Sequence, residues 1–406
     1  MSLLRRNRGA LLLLMLNIFI AFMGIGLVIP IMPSFMNELH ISGQIVGLLV
    51  AAFSLTQFLV SPWSGRLSDQ IGRKKMMIIG LLIFALSEFV FGLANDAWLL
   101  FIARFLGGAG AAFIMPAVMA YVADITTGEE RAQGMGFINA AITTGFIIGP
   151  GIGGYIAEFG IRVPFYFAGV AGIVAALITI FILPESLTVA KREEIRANSN
   201  TTRESESLFS QLIRSYREPY FISLVIVFVM AFGLAEYETV FGLFVDHKFG
   251  FTPTDIAFVI TFGSISGAVV QLTIFSWLLN KFGEHKVIAT CLLVAGLFIC
   301  LTLFVSGFWM IVAVTFTVFL AIDILRPAVG TQMSRMAGEN QGFVAGMNSA
   351  YTSLGNIIGP IIAGGLFDID INLPYVVAAT VLLLCFVLAL YSRKVMVKLQ
   401  AGAKNG

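Results

Sequence analysis

Residues 136–154 read GFINAAITTGFIIGPGIGG, and residues 346–364 read GMNSAYTSLGNIIGPIIAG. Slid by 210 positions, the first stretch lays Gly136, Gly145, Gly149, Pro150 and Gly154 on Gly346, Gly355, Gly359, Pro360 and Gly364. Five such coincidences are hard to obtain by chance, so the chain carries an internal duplication. The four-residue spacing puts Gly145, Gly149 and Gly153 on one helix face, where absent side chains allow another helix to approach closely. Pro150 is expected to bend that helix. A fainter echo pairs GRLSDQIGRKK, residues 65–75, with SWLLNKFGEHK, residues 276–286, keeping Leu67 with Leu278, Gly72 with Gly283 and Lys75 with Lys286. The second copy lacks the aspartate and the arginine.

The duplicated unit is a bundle of membrane helices. Hydrophobic residues make up 58% of the 406-residue chain and charged residues 12%, with thirty-seven phenylalanines, and mean hydropathy is +0.93. No soluble domain has that balance. A hydrocarbon core of about 30 Å takes about 20 helical residues to cross. Stretches that long and apolar begin near Ala10, Ile45, Met76, Ala97, Gln133 and Val163, and again near Phe221, Thr254, Lys286, Phe308, Phe343 and Pro374. The expected fold is all-α, with twelve spans in two six-helix halves related by pseudo-symmetry. The halves are residues 1–183 and 221–406, and the polar segment 184–220 is a cytoplasmic linker between them. Within it Leu208, Phe209, Leu212 and Ile213 are compatible with a short amphipathic helix on the membrane surface or with a solvated stretch.

Lysine and arginine set the orientation, because short cytoplasmic loops carry their excess. With both termini placed in the cytoplasm, twenty-one of the twenty-five fall inside, Arg162 and Lys248 fall outside, and Arg104 and Arg326 lie within spans. The arginines before the first span suggest a signal peptide, but the apolar run continues to Phe35 without a small-residue cleavage site, which favours a retained helix. Cys291, Cys300 and Cys385 fall in spans with no metal-type spacing, so they are expected in the core. The basic residues form an inner-leaflet girdle and not a patch interleaved with aromatics, which argues against nucleic acid. The pattern G-x-x-x-x-G-K-[ST] is absent. Gly149, Gly151 and Gly154 match G-x-G-x-x-G, but no strand or βαβ unit surrounds them. No cofactor, no metal and no enzymatic activity are expected, since no polar catalytic cluster occurs at the interface.

The chemistry concentrates in a few charges inside apolar stretches: Glu238 in AFGLAEYETVFGLF (residues 231–244), and Asp323 with Arg326 in TVFLAIDILRPAV (residues 317–329). An ionised group at the centre of a membrane helix costs about 2.5 to 3.5 kcal/mol on insertion scales, so such groups usually face a cavity. Asp323 and Arg326, three apart, are close enough to interact. Glu236 and Glu238 point about 200° away from each other on a helix, so both cannot face one narrow cavity. In the first half, Glu88 and Arg104 each lie about 10 Å from the outer end of antiparallel spans, where they can pair with each other.

The stretch Gly65, Leu67, Ser68, Asp69, Gly72, Arg73, Lys74 resembles the loop signature G-x-L-[AS]-D-[RK]-x-G-R-[RK] of the major facilitator superfamily, with Gln70 where a basic residue is usual. The resemblance implies that Asp69 and Arg73 belong to a cytoplasmic charge network stabilising the outward-facing state, with Asp124 as a partner of Arg73; a simple positive-inside anchor is the alternative. Gly145, Gly149, Pro150, Gly153 and Gly154 resemble the antiporter signature of the drug-exporting branch, which implies export. Arg104 in RFLGGAGAAF resembles a fourth-span basic residue linked to proton coupling. The segments ETVFGLF, DILRPAV, GMNSAYTSLGNIIGP and GFIIGPGIGG resemble the bacterial multidrug exporters of the NorA, Bmr and Blt type over nearly the full length.

That resemblance implies an antiporter in which Glu238 and Asp323 exchange protons for drug and Arg326 tunes the aspartate, with Glu236 an addition. An exporter of lipophilic cations needs an aromatic cavity with few negative groups. The positions that match the family's cavity are Phe19, Gln57, Phe146, Phe241, Phe319 and Asn348. The implied partners are small hydrophobic or cationic substrates, protons and the lipid bilayer, for a chain expected to act as a monomer in the bacterial cytoplasmic membrane. A transporter of one metabolite, such as a polyamine, is the alternative.

Overall fold

In a computed structural model, residues 9–187, 208–337 and 341–404 are described. Their helices are α1 (Ala10–Leu39), α2 (Gly43–Ile71), α3 (Arg73–Leu93), α4 (Ala97–Ile125), α5 (Gly128–Ile156), α6 (Val163–Ile182), α7 (Leu208–Ser215), α8 (Phe221–Phe249), α9 (Pro253–Thr273), α10 (Phe275–Phe282), α11 (Glu284–Thr302), α12 (Phe308–Ala337), α13 (Gln341–Ile369) and α14 (Leu373–Lys404). Among the described residues twelve helices are long and apolar enough to cross a membrane, and they coincide with the twelve expected stretches.

Several helices begin a few residues before their apolar runs, and polar groups and glycine mark helix starts. Asp96 caps α4 by accepting from the Leu99 N–H at 2.9 Å, and Thr127 with Glu130 forms a capping box at the start of α5. Gly72 separates α2 from α3 at φ 108°, a value that strains any side chain. Prolines 30, 33, 62, 116, 150, 327 and 360 lie inside helices. Helix α5 runs unbroken through Pro150; membrane helices tolerate proline because neighbours re-satisfy the freed carbonyl. The sequence left open whether the linker contains a helix; α7 forms over Leu208–Ser215, and residues 188–207 lie outside the described residues.

The packing repeats with the sequence. In the first half α1 packs on α5, and α3 packs on α4 and α6; in the second α8 packs on α13, and α11 packs on α12 and α14. The core of the first half gathers Leu14, Ile18, Leu81, Phe84, Val118 and Tyr121, and a buried Asn17–Thr179 hydrogen bond of 2.9 Å ties α1 to α6. By contact the chain forms two compact units. One holds the described residues of Met1–Ile41, Leu49–Glu204 and Phe251–Phe258; the other those of Ser42–Leu48, Ser205–Gly250 and Val259–Gly406. The starts of α2 and α9 are grouped with the unit that does not hold the rest of their helix. In the second unit, Asp368 accepts from the N–H groups of Gly43 and Gln44 at 2.7 and 2.9 Å. In the first, Thr254 donates its hydroxyl to Glu158 at 2.9 Å.

Many large apolar side chains stay exposed, including Trp98, Phe181, Leu384 and Val387. A soluble protein does not leave such surface uncovered, whereas lipid is an apolar solvent for it.

Candidate functional site

The membrane-embedded charges of the second half lie on α8 and α12. Glu238 and Asp323 are half-buried and Arg326 is exposed. The charges of Arg326 and Asp323 both reach Glu238, and that of Arg326 reaches Asp323, so the three form one electrostatic group. Two glycines of α9, invisible as partners in the sequence, make room for it. A methyl group added at Gly267 would overlap the Asp323 carboxylate, and one at Gly263 would lie 2.8 Å from the Phe319 ring. Gly263 and Gly267 are four apart on α9, as Phe319 and Asp323 are on α12, so one helix face receives the other.

Arg104 lies in the first unit, 8% exposed beside the buried Glu88, and the charge of each reaches the other. Its guanidinium also sits over the Phe91 ring at 4.9 Å. Arg104 Nε and Glu88 Oε2 have no hydrogen-bond partner among the described residues.

The six aromatic and amide positions divide. Phe19, Gln57 and Asn348 are partly exposed and Phe146 is 40% exposed, its ring meeting Phe22 edge-on at 5.0 Å. Phe241 and Phe319, expected to line a cavity, are instead packed in the core of the second unit, at 1% and 5% exposure. Tyr237 explains this: it stacks on Phe241 at 5.4 Å, meets Phe319 edge-on at 6.3 Å, and bonds Thr315 through its hydroxyl at 2.9 Å.

The α2–α3 loop forms a compact charge network. Arg73, 7% exposed, reaches Asp69 at 2.5 Å and Asp124 at 3.3 Å, and donates to Ser68 at 3.2 Å. Two further members come from the start of the linker: Glu185 accepts from the Arg73 N–H at 2.9 Å, and Ser186 donates to Asp124 at 2.9 Å. Sequence reading missed both, because they lie more than a hundred positions from the loop and carry no motif. Gly65 has nothing within 4 Å of an added Cβ, so Gly72 alone of the two is held by geometry.

The glycine seam is a contact between backbones. Added Cβ atoms at Gly145, Gly149 and Gly153 would lie 2.9, 2.5 and 2.6 Å from the carbonyl oxygens of Phe19, Met23 and Leu27 on α1. Pro150 meets the same helix, its Cδ 2.9 Å from the Cβ position of Gly26. Gly154 faces elsewhere, toward Pro253 and Ala257 at the start of α9.

Twelve membrane-crossing helices in two repeating sets, with ionisable groups held inside the spans, define a multi-pass membrane transporter. The family model of the Major Facilitator Superfamily matches residues 14–271 and 224–405, and the chain belongs to that family. It is 53% identical over 380 residues to Multidrug resistance protein 2 of Bacillus subtilis, covering 94% of each chain. It is 47% identical over 379 residues to Multidrug resistance protein 1 of the same organism, covering 93% of this chain and 95% of that one. To Quinolone resistance protein NorA of Staphylococcus aureus it is 40% identical over 385 residues, covering 95% and 96%. Among solved structures, the nucleoside transporter NupG has a TM-score of 0.75 at 16% identity, covering 95% of this chain and 99% of that one. A bacterial homolog of the human lysosomal transporter Spinster has a TM-score of 0.74 at 15% identity, covering 95% and 96%. At those identities the likeness is one of fold.

Proposed function

We propose that this protein is a proton-coupled antiporter that exports structurally varied hydrophobic, often cationic compounds across the bacterial cytoplasmic membrane by alternating access of its two halves. The observation that carries the reading is the electrostatic group of Glu238, Asp323 and Arg326 inside the spans. Two carboxyls within electrostatic reach of one guanidinium give a site whose charge changes with each proton, and a cationic substrate competes for the same negative charge. The multidrug and quinolone resistance proteins it resembles supply the substrate class. Arg104 is assigned to the proton route with Glu88 as its partner.

Phe19, Gln57, Phe146 and Asn348 offer surface to the substrate, and Phe241 and Phe319 join them when the packing around Tyr237 changes. Asp69, Gly72, Arg73 and Asp124, with Gly65, set the loop's conformational switch, while Gly145, Gly149, Pro150, Gly153 and Gly154 give the seam about which α5 moves. Both termini face the cytoplasm and the chain works as a monomer.

The test is ethidium movement driven by an imposed pH gradient in liposomes containing the purified protein. Wild type accumulates the dye, and Glu238→Gln and Asp323→Asn each abolish the gradient-driven part. Persistent coupling in both variants would return these carboxyls to structural roles. A wild type that moves a polyamine but no ethidium would mark a transporter of one metabolite.

A further inference from the structure

Glu236 takes no part in the group just described, although it lies two residues from Glu238. Its side chain is fully buried on α8, and neither carboxyl oxygen has a hydrogen-bond partner among the described residues. It stands at the seam between α8 and α13, where an added Cβ at Gly359 would lie 2.7 Å from the Phe232 carbonyl and 3.3 Å from the Glu236 nitrogen. Helix α13 brings Gly355 and Gly359 to this stretch, neither of them titratable. From α14, Tyr375 is within electrostatic reach of Glu236, and its buried hydroxyl is likewise without a partner. Tyr375 is held in place by Tyr237, edge-on at 5.5 Å, and by Phe244 at 4.6 Å. The charges of α12, Asp323 and Arg326, act on Glu238.

The internal repeat makes the position more informative. Offset by 210, Glu236 corresponds to Gly26 of α1, whose Cβ position lies against Pro150 and Gly149 of α5. At this position of the helix one half has only a hydrogen atom, and the other carries a buried carboxyl. Packing alone gives no reason for the exchange, because a buried polar group without partners is unfavourable wherever it sits.

We propose that Glu236 is a second proton-carrying group of the transporter, gated by the α8–α13 seam. In the packing seen here it is cut off from water. When the seam loosens, the carboxyl meets water and exchanges its proton, Glu236–COOH giving Glu236–COO⁻ and H⁺. The ionised form has no partner in the closed seam, so reclosure requires the proton to return, which ties proton transfer to helix movement. Tyr375 is the neighbouring hydroxyl able to bond the carboxyl as the contact rearranges. The proposal rests on the proton-coupled reading above and adds one group to it.

The experiment measures the equilibrium ethidium ratio across liposomes at imposed pH gradients, matched for inserted protein, for wild type, Glu236→Gln and Glu236→Asp. Loss of one coupled proton lowers the ratio in Glu236→Gln about tenfold for each pH unit of gradient, and Glu236→Asp, which keeps a carboxyl, recovers it. A wild-type ratio in Glu236→Gln overturns the proposal while leaving proton-coupled export standing. A wild type that shows no gradient-driven movement removes both. If Glu236→Gln does not insert, infrared difference spectra of the other two proteins on ethidium binding decide. A carboxyl C=O band that shifts between wild type and Glu236→Asp supports the role, and identical spectra overturn it.

Discussion

Helices α1 and α5 in the first half and α8 and α13 in the second meet through the same device and carry different chemistry along it. In both, glycines four apart on one helix lie against carbonyl oxygens of the other: Gly145 and Gly149 against Phe19 and Met23, Gly355 and Gly359 against Phe228 and Phe232. Yet α1 has no carboxyl in its middle, whereas α8 has Glu236 and Glu238. Duplication preserved the close packing, which needs both helices at once, and left single side chains free to diverge. The pseudo-symmetry is therefore one of contact geometry, and the ionisable groups are where the two copies depart from it.

The largest effect that would test this comparison comes from the seams themselves. Gly149→Val and Gly359→Val should each cost about 3 kcal/mol or more, since backbone atoms cannot yield to a new side chain, seen as lowered thermal unfolding in detergent. Gly346→Ala, with nothing within 4 Å, should change stability by less than about 1 kcal/mol. If one seam tolerates valine while the other does not, the shared geometry is not shared energetics. The loops give the next contrast. Arg73 is nearly buried among carboxylates, so Arg73→Ala should cost about 2 to 3 kcal/mol. In the second copy Arg335, 74% exposed, pairs with Glu284 at 3.0 Å, and Arg335→Ala should cost less than about 1 kcal/mol; equal losses would show that burial does not separate the two networks. The smallest difference concerns Asp368 and Glu158, 210 positions apart. Asp368→Asn removes a charge that caps two N–H groups and should lower stability by about 1 kcal/mol. Glu158→Gln, which alters a single bond to Thr254, should lower it by less.

Many of the candidate residues were readable beforehand, for identifiable reasons. Glu238, Asp323 and Arg326 stood out because charge in an apolar run is expensive, and the glycine face stood out because its spacing is helical and repeated. Gly263 and Gly267 did not, because their significance is the room they leave for Phe319 and Asp323 on another helix. Glu185 and Ser186 were silent for the same reason, their partners lying across the fold from them. Phe241 and Phe319 looked like cavity residues on resemblance, and Tyr237 holds both in the core.

Taken by itself, the sequence determined the membrane class, the twelve spans, the duplication and the residues whose charge needs an explanation, since hydropathy, period and offset are properties of a line of residues. Only the tertiary structure decided which carboxyl shares the field of other charges and which is sealed away without a hydrogen-bond partner. It brought Glu238 within electrostatic reach of Asp323 and Arg326, and buried Glu236 with no hydrogen-bond partner among the described residues. Solvation and pairing depend on what neighbouring helices bring to a point, and the residues that meet there come from segments far apart in the chain.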